Sequence, residues 1–364
     1  MHRRHFLARA GAGLAGLAAA PLWADIAGTR PLYLSAANTP DNATWLVGLT
    51  LDGTVRFAHP LPGRGHAAAV HPERAEAVAF ARRPGDFALV IDCARGDAVA
   101  RLTTPADRHF YGHGAYTADG RLLLTTENAF DVPDGRIGLW DAANGYARLG
   151  EFPSGGIGPH EILRLANGDF AVANGGIQTH PDFERAKLNL PTMQTNLSIL
   201  TATGEVTQSW AFEGEMRQNS IRHIDVDAQG RIVAALQWQG DPRAGVPLVA
   251  RFTPGGDTPP DFLDHPATAT LSQYAGSIAV SRVEGEIAVT GPKGNHVVFF
   301  GADGSPDEDA ALGEASGVAP MPDGLAITCT GGLALYRAGE IARVEIPGGN
   351  AGGYTWDNHL VRVG

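Results

Sequence analysis

A short pattern opening on histidine recurs through this chain, and it restricts the fold more than any other feature. The clearest copies are HGAYTADGRLLLTT from His113, HEILRLANGDFAVAN from His160 and HIDVDAQGRIVAALQ from His223. A looser copy begins HAAAV at His66, and the chain ends on WDNHLVRV, where His359 again opens an apolar run. Two later copies carry serine in that place, Ser277 and Ser316. The starts at 66, 113, 160, 223, 277, 316 and 359 are 39 to 63 residues apart. Within a copy, a short apolar run leads to a turn such as Asp119-Gly120 or Asn167-Gly168. A second run follows, then two more, as in IGLW at 137–140 and YARL at 146–149. Dense turn signals between short β-rich runs mark β repeats, and four strands at a period of 40–50 residues is a propeller blade.

Seven copies predict an all-β, seven-bladed propeller. The last copy is too short to be a blade alone. Runs near the start, at 32–35, 45–51 and 54–57, supply what is missing, so the last blade closes with strands from both termini and hides the sheet edges. Six or eight blades stay open, because the copies at 277 and 316 diverge. The stretch 175–196 reads as an insertion between second and third strands, with a helical turn, lying over one face. Composition agrees: 47 Gly and 24 Pro among 364 residues, with 18% charged, leave little room for long helices.

The formal net charge of -11 argues against nucleic acid or an anionic membrane as main partner. Two cysteines exclude a Cys-rich metal module. Cys93 and Cys329 read as small apolar strand residues in non-adjacent blades, so no disulfide is expected between them. Residues 1–24, MHRRHFLARAGAGLAGLAAAPLWA, have two arginines followed closely by Phe-Leu, a weakly apolar segment and small residues. They resemble a twin-arginine export signal, which predicts a periplasmic protein whose single propeller domain spans 25–364. An ordinary secretory signal is the competing reading. No later apolar run is long enough to span a membrane.

The repeat gives the histidines their meaning. The first strand of a propeller blade lines the central channel, and the residue just before it sits at one end of that channel. His66, His113, His160, His223 and His359 share this position, so they should form a ring about the axis. Neutral imidazole is the commonest ligand for transition metals, and the ring predicts a metal site. Iron and copper are the first expectations, with zinc also compatible. The competing readings are loop-capping histidines and a polar, water-filled channel mouth. Loops on the same face carry Arg82, Arg83, Glu127, Asn128, Asn174, His180, Gln237, Lys293 and His296. His180 and His296 are candidates for extra ligands. Arg82, Arg83 and Lys293 suggest a local anion site beside the metal. Glu161 follows His160, and ordinary strand alternation would turn it away from the channel. His59, His71 and His265 each precede Pro in turn-like settings, and His109 is a candidate neighbour of the ring or a surface residue.

The segments RGH at 64–66, ARRPG at 81–85, YGHG at 111–114, TEN at 126–128, GPHE at 158–161, ANGGIQTHPDFERAKLNLPTM at 173–193, RHI at 222–224, QWQGD at 237–241, GPKGN at 291–295 and WDNH at 356–359, with the RR-x-FL leader, are similar to one family. Its members resemble twin-arginine-exported periplasmic seven-bladed propellers encoded near imelysin-type iron-uptake proteins and di-haem oxidoreductases. The resemblance implies a role with iron or another transition metal, and iron-uptake proteins as partners, but brings no established activity. The propeller of nitrous-oxide reductase also gathers histidines at one end of its channel, and only that geometric idea transfers.

The leading expectation is a metal-binding propeller that captures or passes on iron or copper. A metal-dependent oxidoreductase or lyase using the same histidines is the second, and a metal-free interaction platform the third. No G-x-S-x-G, H-E-x-x-H, P-loop or C-x-x-C-H motif occurs, so several common enzyme classes lack support.

Overall fold

A computed structural model describes residues 22–23, 33–183, 186–346 and 353–363. Most of the leader therefore lies outside the described residues. Within it, Leu22 bridges to Arg74, and Trp23 is buried with its indole N–H donating to the His71 carbonyl at 2.9 Å.

The described residues form seven antiparallel sheets, as the repeat predicts. Blades 1 to 6 are four-stranded and span 65–102, 108–153, 159–211, 219–263, 277–311 and 318–345. Blade 7 is the composite expected from the sequence. Its inner edge is made of Thr355–Trp356 and Val361–Arg362, both paired with Tyr33–Asn38, and Thr44–Leu49 and Val55–Leu61 complete it. The first strand of every blade packs beside the first strands of its two neighbours, and the ring closes through Val361–Arg362.

Burial follows strand position. The second strand of blade 1, Glu76–Ala81, is buried along its whole length, because neighbouring blades cover both its faces. Such strands read as continuous apolar runs rather than alternating ones. Outermost strands such as Pro306–Ala311 (PDEDAA) are exposed and acidic, which protects a free edge from pairing with another chain. The core is the set of interfaces between blades. Leu197 and Ile199 of blade 3, for instance, pack with Ile232, Ala234 and Leu236 of blade 4.

Polar latches also cross these interfaces. Glu161 accepts from the Ile224 amide at 3.0 Å, Asp225 from the Val280 amide at 2.8 Å, and Ser277 from the Val318 amide at 3.3 Å. His71 and His265 do similar work further out. The Nδ1 of His71 accepts from the backbone of Glu73 and Arg74, so its Nε2–H donates across to the Gly120 carbonyl at 3.1 Å. His265 accepts from Ala267 and donates to the Asp307 carbonyl at 3.1 Å. His59 joins the Gly96 carbonyl at 2.8 Å. These His-Pro histidines are structural; His71 and His265 sit in turn-like settings as expected, whereas His59 lies within the strand Val55–Leu61.

The insertion sits between Phe170–Asn174 and Asn196–Leu200 and contains two short 3-10 turns, Pro181–Phe183 and Leu190–Thr192. Cys93 and Cys329 are buried and free, in blades 1 and 6.

Candidate metal centre

The five ring histidines meet. His66, His113, His160, His223 and His359 are all buried, at 2 to 7% exposure, although they come from blades 1, 2, 3, 4 and 7. Six of their ring pairs have centroids 4.4 to 5.1 Å apart. Blades 5 and 6 carry Ser277 and Ser316 in the same place and add no imidazole.

Local backbone geometry aims these rings. In blades 1 to 3 the first strand shifts register at the histidine, and in blade 4 at Arg222 immediately before it. The shifts fall between Gly65 and Ala68, Phe110 and Gly114, Pro159 and Glu161, and Ile221 and His223. A β-bulge leaves extra residues unpaired, bends the strand and re-aims a side chain. Four bulges at or immediately before the histidine turn four imidazoles toward one axis. Gly112 makes room for them. It has φ +108°, and a Cβ there would lie 2.5 Å from His66 Cδ2, so a side chain at 112 would both strain the backbone and displace the His66 ring.

Two carboxylates orient the rings from outside. Asp357 is buried and receives His66 Nδ1 at 2.7 Å, Arg82 Nη1 at 2.8 Å and Arg64 Nη2 at 3.3 Å. Burial alone would raise its pKa, but His66, Arg82 and Arg64 outweigh that and hold it well below the usual carboxylate range. An ionised carboxylate only accepts, so His66 carries its proton on Nδ1 and leaves the Nε2 lone pair facing inward. Glu161 reaches two rings, His223 Nδ1 at 3.3 Å and His113 Nδ1 at 3.7 Å. Burial raises its carboxyl to about 8. A cation held by the histidines would act against that burial and favour the ionised form.

The inward nitrogens lack protein partners. His113 Nε2, His223 Nε2 and His160 Nδ1 are buried with no hydrogen bond. His359 Nε2 and His66 Nε2 face each other at 3.3 Å. Burial is the main cause lowering every one of these imidazoles, His66 to about 4 and His223 to about 3, with His113, His160 and His359 also well below the usual value. They are therefore neutral at neutral pH, which is the form that ligates metals. Three overlapping sets have donor atoms within 4.8 Å of one another: His66 with His113 and His160, His113 with His223 and His359, and His66 with Asp357 and His359. Any of them could hold a metal ion.

The cluster divides the channel. On one side a cavity of about 320 Å³ touches His66 and His160 and is lined by Arg82, Arg83, Lys187, Arg222 and Lys293. On the other, a cavity of about 440 Å³ touches His113, His359 and Glu161.

Several expected neighbours lie elsewhere. His296 Nε2 pairs with Asp309 at 2.6 Å across the two outer strands of blade 5. His180 sits in the insertion near Asp131 and packs against Phe130 and Phe183. Both are taken up by local acidic partners, Asp309 and Asp131. Glu127 is sealed inside blade 2, where it accepts two 2.8 Å bonds from Arg148, and burial raises its pKa despite that pairing. Asn128 donates to the Thr179 carbonyl at 3.1 Å, pinning the insertion, and contacts His109 Nε2 at 3.2 Å. His109 is buried and not a surface residue. Glu161 corrects the alternation argument: the bulge at His160 breaks the alternation, and the carboxylate turns to the rings. Asp357, Arg64, Lys187 and Arg222 escaped the sequence reading. Asp357, Arg64 and Arg222 each left a signal, as charged residues one or two positions before a ring histidine.

The pattern of the DUF1513 family, described as a protein of unknown function, matches residues 59–363, and the chain belongs to that family. No curated protein matches it in sequence. Among solved structures, virginiamycin B lyase from Staphylococcus aureus is similar, with TM-score 0.57 and 12% identity, covering 82% of this chain and 92% of that one. Hydrazine synthase of Kuenenia stuttgartiensis follows at TM-score 0.54 and 14% identity, covering 75% and 78%. A functionally unknown protein from Desulfotomaculum acetoxidans gives 0.55 and 12%, covering 90% and 99%. At these identities the likeness concerns the propeller fold alone.

Proposed function

Taking the chain as a DUF1513 propeller that buries five convergent imidazoles, we propose that it binds a transition metal ion at the histidine cluster and serves in capturing or passing on that metal. The observation that carries this reading is the pair of overlapping histidine trios whose donor atoms lie within 4.8 Å of one another, in a cluster where three buried ring nitrogens have no partner. A buried polar atom without a partner costs about 1–3 kcal/mol, and a metal ion held by His66, His113 and His160, or by His113, His223 and His359, would satisfy the nitrogens it ligates. Asp357 behind His66 and Glu161 behind His113 and His223 follow the carboxylate–histidine–metal arrangement of real sites.

All-imidazole ligation suits Cu(II), Zn(II) or Fe(II). The resemblance to propellers encoded near iron-uptake proteins favours iron, then copper. The Arg3-Arg4 leader supports export by the twin-arginine route and a periplasmic place of work, with iron-uptake proteins as partners. A second reading, metal-dependent oxidoreductase or lyase chemistry, draws on the cavity that reaches His66 and His160, since a catalytic metal needs a coordination position open to substrate.

The test is elemental analysis of the protein purified from its native compartment, beside a variant with His66, His113, His160 and His223 all changed to Ala. Metal bound to the wild type and lost from the variant is the expected result. A metal-free wild type, or unchanged metal content in the variant, would end both readings. Spectral shifts with added azide would favour the second.

A further inference from the structure

The cavity over His66 and His160 has a chemistry of its own. Among the described residues, five cationic side chains line it, Arg82, Arg83, Lys187, Arg222 and Lys293, and no Asp or Glu does. That is the reverse of the whole chain, in which 39 acids outnumber 28 bases. The cations come from blades 1, 3, 4 and 5, so folding concentrates them at one channel mouth. Such a concentration carries a cost in mutual repulsion unless something negative shares the space.

The site is only partly neutralised from within. Asp357 lies behind the wall and accepts from Arg82 at 2.8 Å. Arg83 Nη1 is buried and has no hydrogen-bond partner. Lys293 Nζ rests over the Tyr274 ring, 4.2 Å from its centroid. Tyr274 Oη accepts from the Asn358 amide at 2.8 Å, which leaves its own proton to be donated. Arginines side by side, a lysine and a phenol form a donor set for an oxygen-bearing anion, and guanidinium planes match carboxylates and phosphates in pairs. The volume, about 320 Å³, has room for about ten waters. It suits a small molecule and not a polymer.

We propose that this cavity binds a small oxyanion, carboxylate or inorganic, with one edge against His66 and His160. The assignment goes beyond the metal reading and does not need it, because the cations stand whether or not the cluster is loaded. Where a metal is present, the bound anion lies where it could complete the coordination sphere. The cationic mouth also disfavours entry of a bare metal cation from this side, whereas an anionic chelate would be drawn in.

The test is calorimetric titration of the full-length mature protein, prepared metal-free, with oxalate, citrate and phosphate at low salt. Saturable binding of at least one, weakened by added salt, is expected. Arg83→Gln and Lys293→Gln should each weaken it roughly tenfold, the effect of losing a charge-assisted bond. Metal content of both variants should stay at the wild-type level, which separates this proposal from the metal reading. The preferred anion distinguishes a carboxylate site from an inorganic one. Should Arg83→Gln fail to fold, Lys293→Gln still decides, because Lys293 is exposed. No saturable binding by any of the three anions, or unchanged affinity in a folded Lys293→Gln protein, overturns the proposal.

Discussion

His66 and Asp357 are 291 positions apart in the chain and share a 2.7 Å hydrogen bond at the centre of the ring. The bond joins blade 1 to blade 7, fixes the His66 tautomer and anchors Arg82 and Arg64. One carboxylate thus ties ring closure to the geometry of the candidate metal centre.

Asp357→Asn should therefore separate charge from shape. The amide is nearly the same size, but it cannot balance two guanidinium groups or raise the basicity of His66. Losing such an outer carboxylate typically lowers metal affinity about 10–100-fold. Competition against a chelator of known affinity measures this. An unchanged affinity would show that His66 is not a ligand, or that its orientation is set by packing alone.

The five rings were legible in the sequence because they share a register, and a repeat turns register into position. What surrounds them was not legible, for two physical reasons. Strand alternation, the rule used to turn Glu161 outward, holds only while the ladder is regular, and the bulge at His160 breaks it. Asp357, Lys187 and Arg222 act through contacts between blades, and no spacing within one copy encodes those. His180, in the insertion, and His296, at the start of a third strand, end in local pairs with Asp131 and Asp309, contacts that the repeat register does not encode. The fold itself was read almost whole, including the composite blade, because turn and strand signals are local.

Metal should stabilise the fold, and one histidine should be dispensable without it. His160 is buried with Nδ1 unpaired, an arrangement that costs the metal-free protein stability. Metal-free His160→Leu should melt at or above the metal-free wild type. Adding metal at 100 times its Kd should stabilise the wild type by about 2.7 kcal/mol, a rise of several degrees, and the variant by much less. Calorimetric melts with and without metal check this. Equal rises in both proteins would remove His160 from the ligand set.

Acid should loosen the propeller through His71. Burial first, and the nearby charge of Arg74 second, push this imidazole down to about 4. In the unfolded chain it returns to about 6.5. Between those values the unfolded state binds the extra proton, so the stability His71 contributes is complete above pH 6.5 and is lost as pH falls toward 4. His71→Gln cannot titrate. Its denaturation midpoint should change less than that of the wild type between neutral pH and about pH 4.5, because one proton fewer is taken up on unfolding. The cluster histidines titrate in both proteins, so the difference between the two curves isolates His71. Parallel curves would mean that folding does not depress the His71 imidazole.

Ring closure should depend on the last ten residues. Thr355–Trp356 and Val361–Arg362 form the inner edge of blade 7 and cover Tyr33–Asn38, a strand buried along nearly its whole length. Trp356 is itself buried among Tyr33, Val47, Leu49 and Met321. A chain ending before Thr355 would expose that strand as an unpaired apolar edge, the kind that pairs with other chains. It would also lack Asp357 and His359. The truncated protein should elute as oligomers or aggregate and lose its cooperative melt. A peptide covering 353–364, added during refolding, should restore a monomeric, cooperatively melting complex, because the missing strand pairs through its backbone and buries Trp356. A truncated chain that is already monomeric and melts cooperatively would show that blade 7 stands on its amino-terminal strands alone. In that case the metal centre could be lost without opening the ring.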